Sequence, residues 1–167
     1  EMDSSALNPW EDNVTTARDL SILIYHLLQK YSEILAYTAT AQYTVMAGTP
    51  YEETFDTYNY SLPELRYAYA GVDGLKTGSS QTGGFNISMT AQRDDLRLIT
   101  VVLGVGDWAN QEGEYLRQPF ANAALEYGFS QFEYQVVLKA GEHEINGQKV
   151  ALVNDLYDTV RKDSDLS

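Results

Sequence analysis

The sequence predicts an α+β fold: an antiparallel sheet covered by helices, followed by the start of a β-rich unit. Three observations carry this. Residues 16–31 repeat apolar side chains with a helical period. Residues 72–105 change to strand-like runs broken by turn residues. A second helical pattern follows over residues 110–129.

The opening stretch is turn-rich, with Asn8-Pro9 as its strongest break. Thr16 then sits where a helix cap belongs, with Asp19 three residues on. Leu20, Leu23, Ile24, Leu27, Leu28 and Tyr31 form one apolar stripe, and His26 falls off it as surface. Residues 32–40 suit a short helix, and "AQYTVMA" alternates like a strand. The tyrosine-rich segment from Thr49 to Gly71 reads as a long loop held to the domain by its rings; a carbohydrate or peptide groove is the alternative. "GLKTGSS", "FNISMTAQ" and "LRLITVVLGV" are three strands, the last two joined at Arg93-Asp94-Asp95. The apolar run Leu98–Leu103, with Thr100 its one polar member, predicts a strand that is central or covered on both faces. In the second helix Pro119 is expected to open or kink the chain, Leu116, Phe120, Ala123, Ala124 and Tyr127 to face the core, and Gly128 to end it. From Tyr134 the texture becomes short alternating runs with an Asn146-Gly147 hairpin turn. Three short strands there are too few for a core of their own. The predicted division is therefore residues 1–133 and an incomplete β unit over residues 134–167.

Charge and composition exclude several functions. Lys plus Arg is 11 against 24 for Asp plus Glu, a net charge of −13, which argues against nucleic acid and anionic lipid as partners. There is no cysteine and there are two histidines, so neither a thiolate nor a histidine-rich metal site is expected, and no cofactor. No apolar run approaches the ~20 residues that span a bilayer, and the first ten residues lack signal-peptide character. The expectation is neither a precursor nor an integral membrane segment.

Against that acidic background, "VDGLKTGSS" (72–80) places Lys76 at the end of a short apolar strand. A lysine there puts a positive charge and three donors in a cleft. Thr77 offers a hydroxyl to a carboxylate, and Gly78 leaves room for close backbone approach. A free strand edge beside them would pair with an extended peptide. A lone Lys-Thr-Gly is a weak motif, and most strand-end lysines are surface charge.

The longer string "VDGLKTG" resembles the third motif of the active-site-serine penicillin-binding enzymes, in particular the low-molecular-weight D-alanyl-D-alanine carboxypeptidases, peptidase family S11. The resemblance continues in order through "TTARDL" (15–20), "GGFN" (83–86), "LRLITVVLG" (96–104) and "YGF" (127–129), covering most of residues 13–133. It implies acyl transfer through a serine, with Ser-x-x-Lys and Ser-x-Asn motifs supplying nucleophile and proton traffic. It implies that Lys76 sets the electrostatics and aids proton movement. Thr77 would bind the terminal carboxylate of a D-Ala-D-Ala stem peptide or a β-lactam, Gly78 would clear the ligand, and the Ser79 N–H would be an oxyanion donor. The implied setting is the cell envelope outside the cytoplasm, with any peripheral membrane association made through parts outside this chain.

Two departures follow. No lysine has a serine three residues before it, and neither Ser4 nor Ser5 has the right followers. The chain is thus expected to be a fragment beginning after both missing motifs, inactive alone and stable only with the N-terminal half of the same protein or as an oligomer. Second, residues 107–115 carry no basic residue where some members place a carboxylate-binding arginine, which shifts that task to Lys76 and Thr77. The competing readings are a class A β-lactamase-like hydrolase, which normally lacks a β unit after its last helix, and a non-catalytic peptidoglycan-binding or interaction module.

Overall fold

A computed structural model describes residues 14–164. The expected turn at Asn8-Pro9 lies outside these residues. Helix α1 (Ala17–Lys30) starts where the sequence places it. Thr16 caps it, its Oγ1 accepting the Asp19 N–H at 3.1 Å and donating to the Asp19 carboxylate at 2.8 Å. Ile24 and Leu28 are buried and His26 is exposed, as expected, but Leu23 is 62% exposed. Only part of the stripe is covered. A single turn at Ser32–Ile34 leads into the short α2 (Leu35–Thr38).

β1 (Gln42–Val45) pairs antiparallel with β2 (Glu53–Asp56), a strand missed inside the segment expected to be loop. "ETFD" has no covered face to impose an alternating apolar pattern, and the strand is exposed throughout. The rest of that segment does fold inward: Ser61 and Leu62 are fully buried.

The main sheet has the order β3-β4-β5, with β3 (Val72–Ser80), β4 (Gly84–Arg93) and β5 (Leu96–Val105) all antiparallel. β4 is central, so β5 is an edge strand of this sheet. Its apolar run, interrupted by the buried Thr100, is explained by cover on both faces. α3 (Gly113–Gln131) packs on one face, where Leu98 and Val102 join Ile87, Met89, Leu125 and Phe129 in the core. α1 packs on the other, where Leu20, Leu23, Ile24 and Leu27 face Leu103. The β4–β5 turn is Asp94-Asp95, with Asp94 at φ 49°, as a tight two-residue hairpin demands. Arg97 on β5 binds Thr90 on β4 at 2.8 Å and Asp73 on β3 at 2.8 Å, clamping all three strands.

α3 corrects the sequence reading most. Leu116, Phe120, Ala123, Ala124 and Tyr127 all face outward, Phe120 being 56% exposed. The buried face is instead Gly113, Arg117, Gln118, Ala121, Leu125 and Phe129. Apolar counting picked the wrong side because two polar residues on the true side, Arg117 and Gln118, are held there by hydrogen bonds to distant residues. Nor does Gly128 end the helix, which runs on to Gln131. It instead admits Leu98, whose Cδ1 would lie 2.6 Å from any Cβ there. Pro119 lies in the helix interior.

The remainder is four strands, one more than expected. β6 (Phe132–Leu138) pairs with β9 (Leu156–Arg161), and β7 (Gly141–Ile145) with β8 (Gln148–Leu152). Asn146 and Gly147, at φ 53° and 76°, make the predicted hairpin turn. Lys162 ties this part to α3 by donating through Nζ to Phe129 O at 2.8 Å. Among the described residues no helix is long and apolar enough to cross a membrane.

Candidate functional site

β3 pairs with β4 along one edge and leaves the other edge unpaired among the described residues. The register places Thr77 opposite Ile87 and Ser79 opposite Phe85, on the face covered by α3. Lys76 opposes Ser88 and Gly78 opposes Asn86, so alternation sends Lys76 toward α1. There its ammonium donates to the Thr77 carbonyl at the rim of an apolar groove of about 550 Å³. Among the described residues no carboxylate pairs with Lys76. Thr77 and Ser79 thus share the α3 face and Lys76 and Gly78 the α1 face, while all four residues line one cavity at the strand edge.

What gathers with them is Arg117, which the sequence reading missed. It is 1% exposed. Its Nη1 donates to Ser79 Oγ at 3.0 Å, Asn86 O at 3.3 Å and Gly78 O at 3.4 Å. Its Nε is buried with no partner, and the guanidinium lies 6.0 Å from the Phe85 ring centre. Burial pulls its pKa below that of a free arginine, opposed by the negative field of Glu114. An arginine remains a cation at neutral pH regardless. The stretch expected to hold a basic residue, 107–115, has none. Arg117 lies two residues further, on the second turn of α3, and the apolar pattern gave no sign of it because that pattern placed residue 117 on the exposed side.

Two local features deliver it. Gly113 opens α3 against the sheet, where a Cβ would come within 2.4 Å of the Phe85 ring and 2.3 Å of Val105 O. Only glycine lets the helix start that close. On β4, Asn86 accepts the Gly104 N–H at 2.8 Å and donates to Gly83 O at 3.1 Å, holding the strand start that supports Gly78.

A cavity of about 350 Å³ opens over this group. Its walls add Tyr58, Phe85, Trp108, Gln111 and Glu114. Trp108 stacks on Phe85 at 5.4 Å between ring centres. Tyr58 is set in place by its backbone: Gln118 Nε2 donates to Tyr58 O at 2.9 Å, and next to it Asn59 Nδ2 donates to Gly74 O on β3 at 3.1 Å. Tyr60 donates to Glu114 Oε1 at 2.9 Å, and its hydroxyl is pushed up to about 12 by burial first and by this bond second. The tyrosine-rich segment therefore packs by its rings, as favoured above, and also supplies one wall of the cavity.

Chemically, a buried guanidinium beside a threonine hydroxyl, under a free strand edge, suits an extended peptide that ends in a carboxylate. Among the described residues no group of three or more His, Asp or Glu side chains could hold a metal ion.

Comparison with known proteins gives the same direction. Residues 6–107 match the family model of D-alanyl-D-alanine carboxypeptidases, and residues 134–167 match a domain of unknown function. The chain is 30% identical over 142 residues to the D-alanyl-D-alanine carboxypeptidase DacA of Haemophilus influenzae, covering 81% of this chain and 31% of that protein. It thus spans about a third of the length of the curated relatives it matches. The crystal structure of a peptidoglycan synthesis regulatory factor, PBP3 of Streptococcus pneumoniae, superposes with a TM-score of 0.71 at 25% identity, over 92% of this chain and 44% of that one. Penicillin-binding protein D2 of Listeria monocytogenes, in its ampicillin-bound form, gives 0.52 at 25% identity, over 69% and 44%. With the Lys-Thr-Gly strand and its fold in place, the chain belongs to peptidase family S11, the D-alanyl-D-alanine carboxypeptidases among the low-molecular-weight penicillin-binding proteins.

Proposed function

We propose that the natural protein is a serine-type D-alanyl-D-alanine carboxypeptidase of peptidoglycan maturation, and that this chain carries its substrate-binding wall. The observation that carries the reading is Arg117: a buried cation bonded to Ser79 Oγ and Gly78 O, beside Thr77, on a strand with a free edge. The stem peptide adds along β3. Its terminal carboxylate meets the Thr77 hydroxyl and the Arg117 guanidinium. Charge-assisted bonds of this kind contribute about 1.5–3 kcal/mol each. Gly78 gives the backbone clearance, and the Ser79 N–H serves as an oxyanion donor to the scissile carbonyl.

Lys76 serves catalysis from the same strand edge, its charge setting the electrostatics of the cavity that it helps to line. This sequence has no Ser-x-x-Lys, so the nucleophile comes from a part of the protein outside it. The serine oxygen attacks the carbonyl, the C–N bond breaks, and the acyl-enzyme is hydrolysed by water. β-Lactams enter as mimics of the same peptide, as supported by the ampicillin-bound relative. We assign residues 1–133 to the catalytic domain and 134–167 to a separate β unit, and the working place to the cell envelope outside the cytoplasm.

The test is intact-mass analysis of the natural protein after incubation with benzylpenicillin. One acyl adduct supports the enzyme. Absence of any adduct favours a binding module that keeps the fold without the chemistry.

A further inference from the structure

Arg117 shares its cavity with an opposite charge. Glu114, one turn earlier on α3, lines the same space, and residues three apart are neighbours on a helix surface. Glu114 is anchored by one oxygen only. Oε1 accepts the Tyr60 hydroxyl at 2.9 Å, and no described side chain donates to Oε2. Tyr60 is itself fixed by stacking on Tyr115 at 5.7 Å and 17°, with Arg66 5.2 Å from the Tyr115 ring centre. Arg117 is likewise anchored through Nη1 while its buried Nε has no partner. Two held, half-used, opposite charges therefore face one small cavity.

That arrangement complements a molecule with a carboxylate and an ammonium on the same carbon. We propose that the cavity is a zwitterion subsite for a free α-amino acid, with the carboxylate on Arg117 and Thr77 and the ammonium on Glu114. The assignment rests on the carboxypeptidase reading, in which such an amino acid is the first product. When the peptide C–N bond breaks, the acyl carbon bonds to the serine oxygen. The departing nitrogen takes the serine proton and one more from solvent to become an ammonium. The intact peptide presents an uncharged N–H there, so Glu114 gains a charged partner only after cleavage. The site consequently holds the leaving amino acid more tightly than its carboxylate alone would allow.

The test measures binding to the natural full-length protein by ligand-observed NMR, using D-alanine and isobutyrate, which carries a methyl in place of the ammonium. D-Alanine is expected to bind roughly 3–5-fold more tightly, the upper end of what one solvent-accessible ion pair contributes. Glu114→Gln keeps an acceptor for Tyr60 and removes the charge. It should bring D-alanine to within about twofold of isobutyrate without weakening isobutyrate. Tyr60→Phe keeps the charge but frees the carboxylate, and should reduce the preference less. Equal binding of the two ligands, or a preference untouched by Glu114→Gln, overturns the subsite. Penicillin acylation of the same samples separates the two claims. A protein that acylates but shows no amine preference keeps the enzyme reading and loses the subsite. One that is never acylated loses the enzyme reading, and with it the product this subsite was assigned to hold.

Discussion

Arg117 Nη1 lies 3.0 Å from Ser79 Oγ, joining α3 to the strand that carries Thr77. The bond crosses 38 residues of sequence, so the carboxylate pocket forms only when helix and sheet are correctly docked. Arg117→Ala is expected to lower kcat/KM for a D-Ala-D-Ala peptide by roughly 10–100-fold, from the loss of one charge-assisted contact. Arg117→Lys keeps charge without the planar fork and should fall between. Steady-state kinetics on the natural protein decide it, with melting curves to show that each variant is folded. Unchanged kcat/KM in a folded Arg117→Ala protein rules out this role.

Gly113 sets how near α3 approaches. Gly113→Ala introduces a Cβ within 2.4 Å of the Phe85 ring and 2.3 Å of Val105 O. The helix start must move, at a cost of about 1–3 kcal/mol for overpacking. Both the melting temperature and the penicillin acylation rate should drop, since Arg117 moves with the helix. A variant as stable and as reactive as the parent would mean that α3 tolerates the shift.

Tyr60 and Tyr69 share an alkaline sensitivity. Both hydroxyls are raised from 10.0 to about 12, burial first and a bond to Glu114 or Glu126 second. Their folded pKa values exceed their unfolded ones. The proton-bound forms therefore stabilise the fold fully below pH 10, and that contribution disappears as pH rises from 10 to 12. Thermal melts across this range should show a steeper alkaline decline in the parent than in Tyr60→Phe/Tyr69→Phe. Parallel declines would show that neither hydroxyl is the cause.

The apolar faces that stay uncovered predict how the 167-residue chain behaves alone. Leu23, Phe120 and Tyr127 are exposed, and the outer edges of β3 and β5 are unpaired among the described residues. Contiguous apolar surface and open strand edges promote association. Sedimentation velocity should find oligomers, reduced by Phe120→Ser. A clean monomer at micromolar concentration would contradict this.

Legibility followed the strength of the local signal. Thr16 and Asp19 announced α1 because a cap is a short-range chemical arrangement, and Asp94-Asp95 and Asn146-Gly147 announced hairpins for the same reason. β2 was invisible because none of its residues is buried. α3 was found, but its orientation was inverted. Periodicity sees apolar atoms, whereas Arg117 and Gln118 are buried through partners on β3 and on residues 58–61 that lie far away in sequence. The Lys-Thr-Gly strand could be read directly. The positions of Lys76 and Thr77 on opposite faces could be inferred from alternation, and the missing member of the site could not, since its role arises from tertiary contact.

Trp108 has an optical consequence. Its indole stacks on Phe85 and forms part of the cavity wall above Thr77 and Arg117. An indole there exchanges water for solute whenever the cavity fills, so its emission should shift in colour and intensity with occupancy. The site thereby carries an intrinsic fluorophore, and stopped-flow mixing would time a ligand's arrival and departure without any attached label.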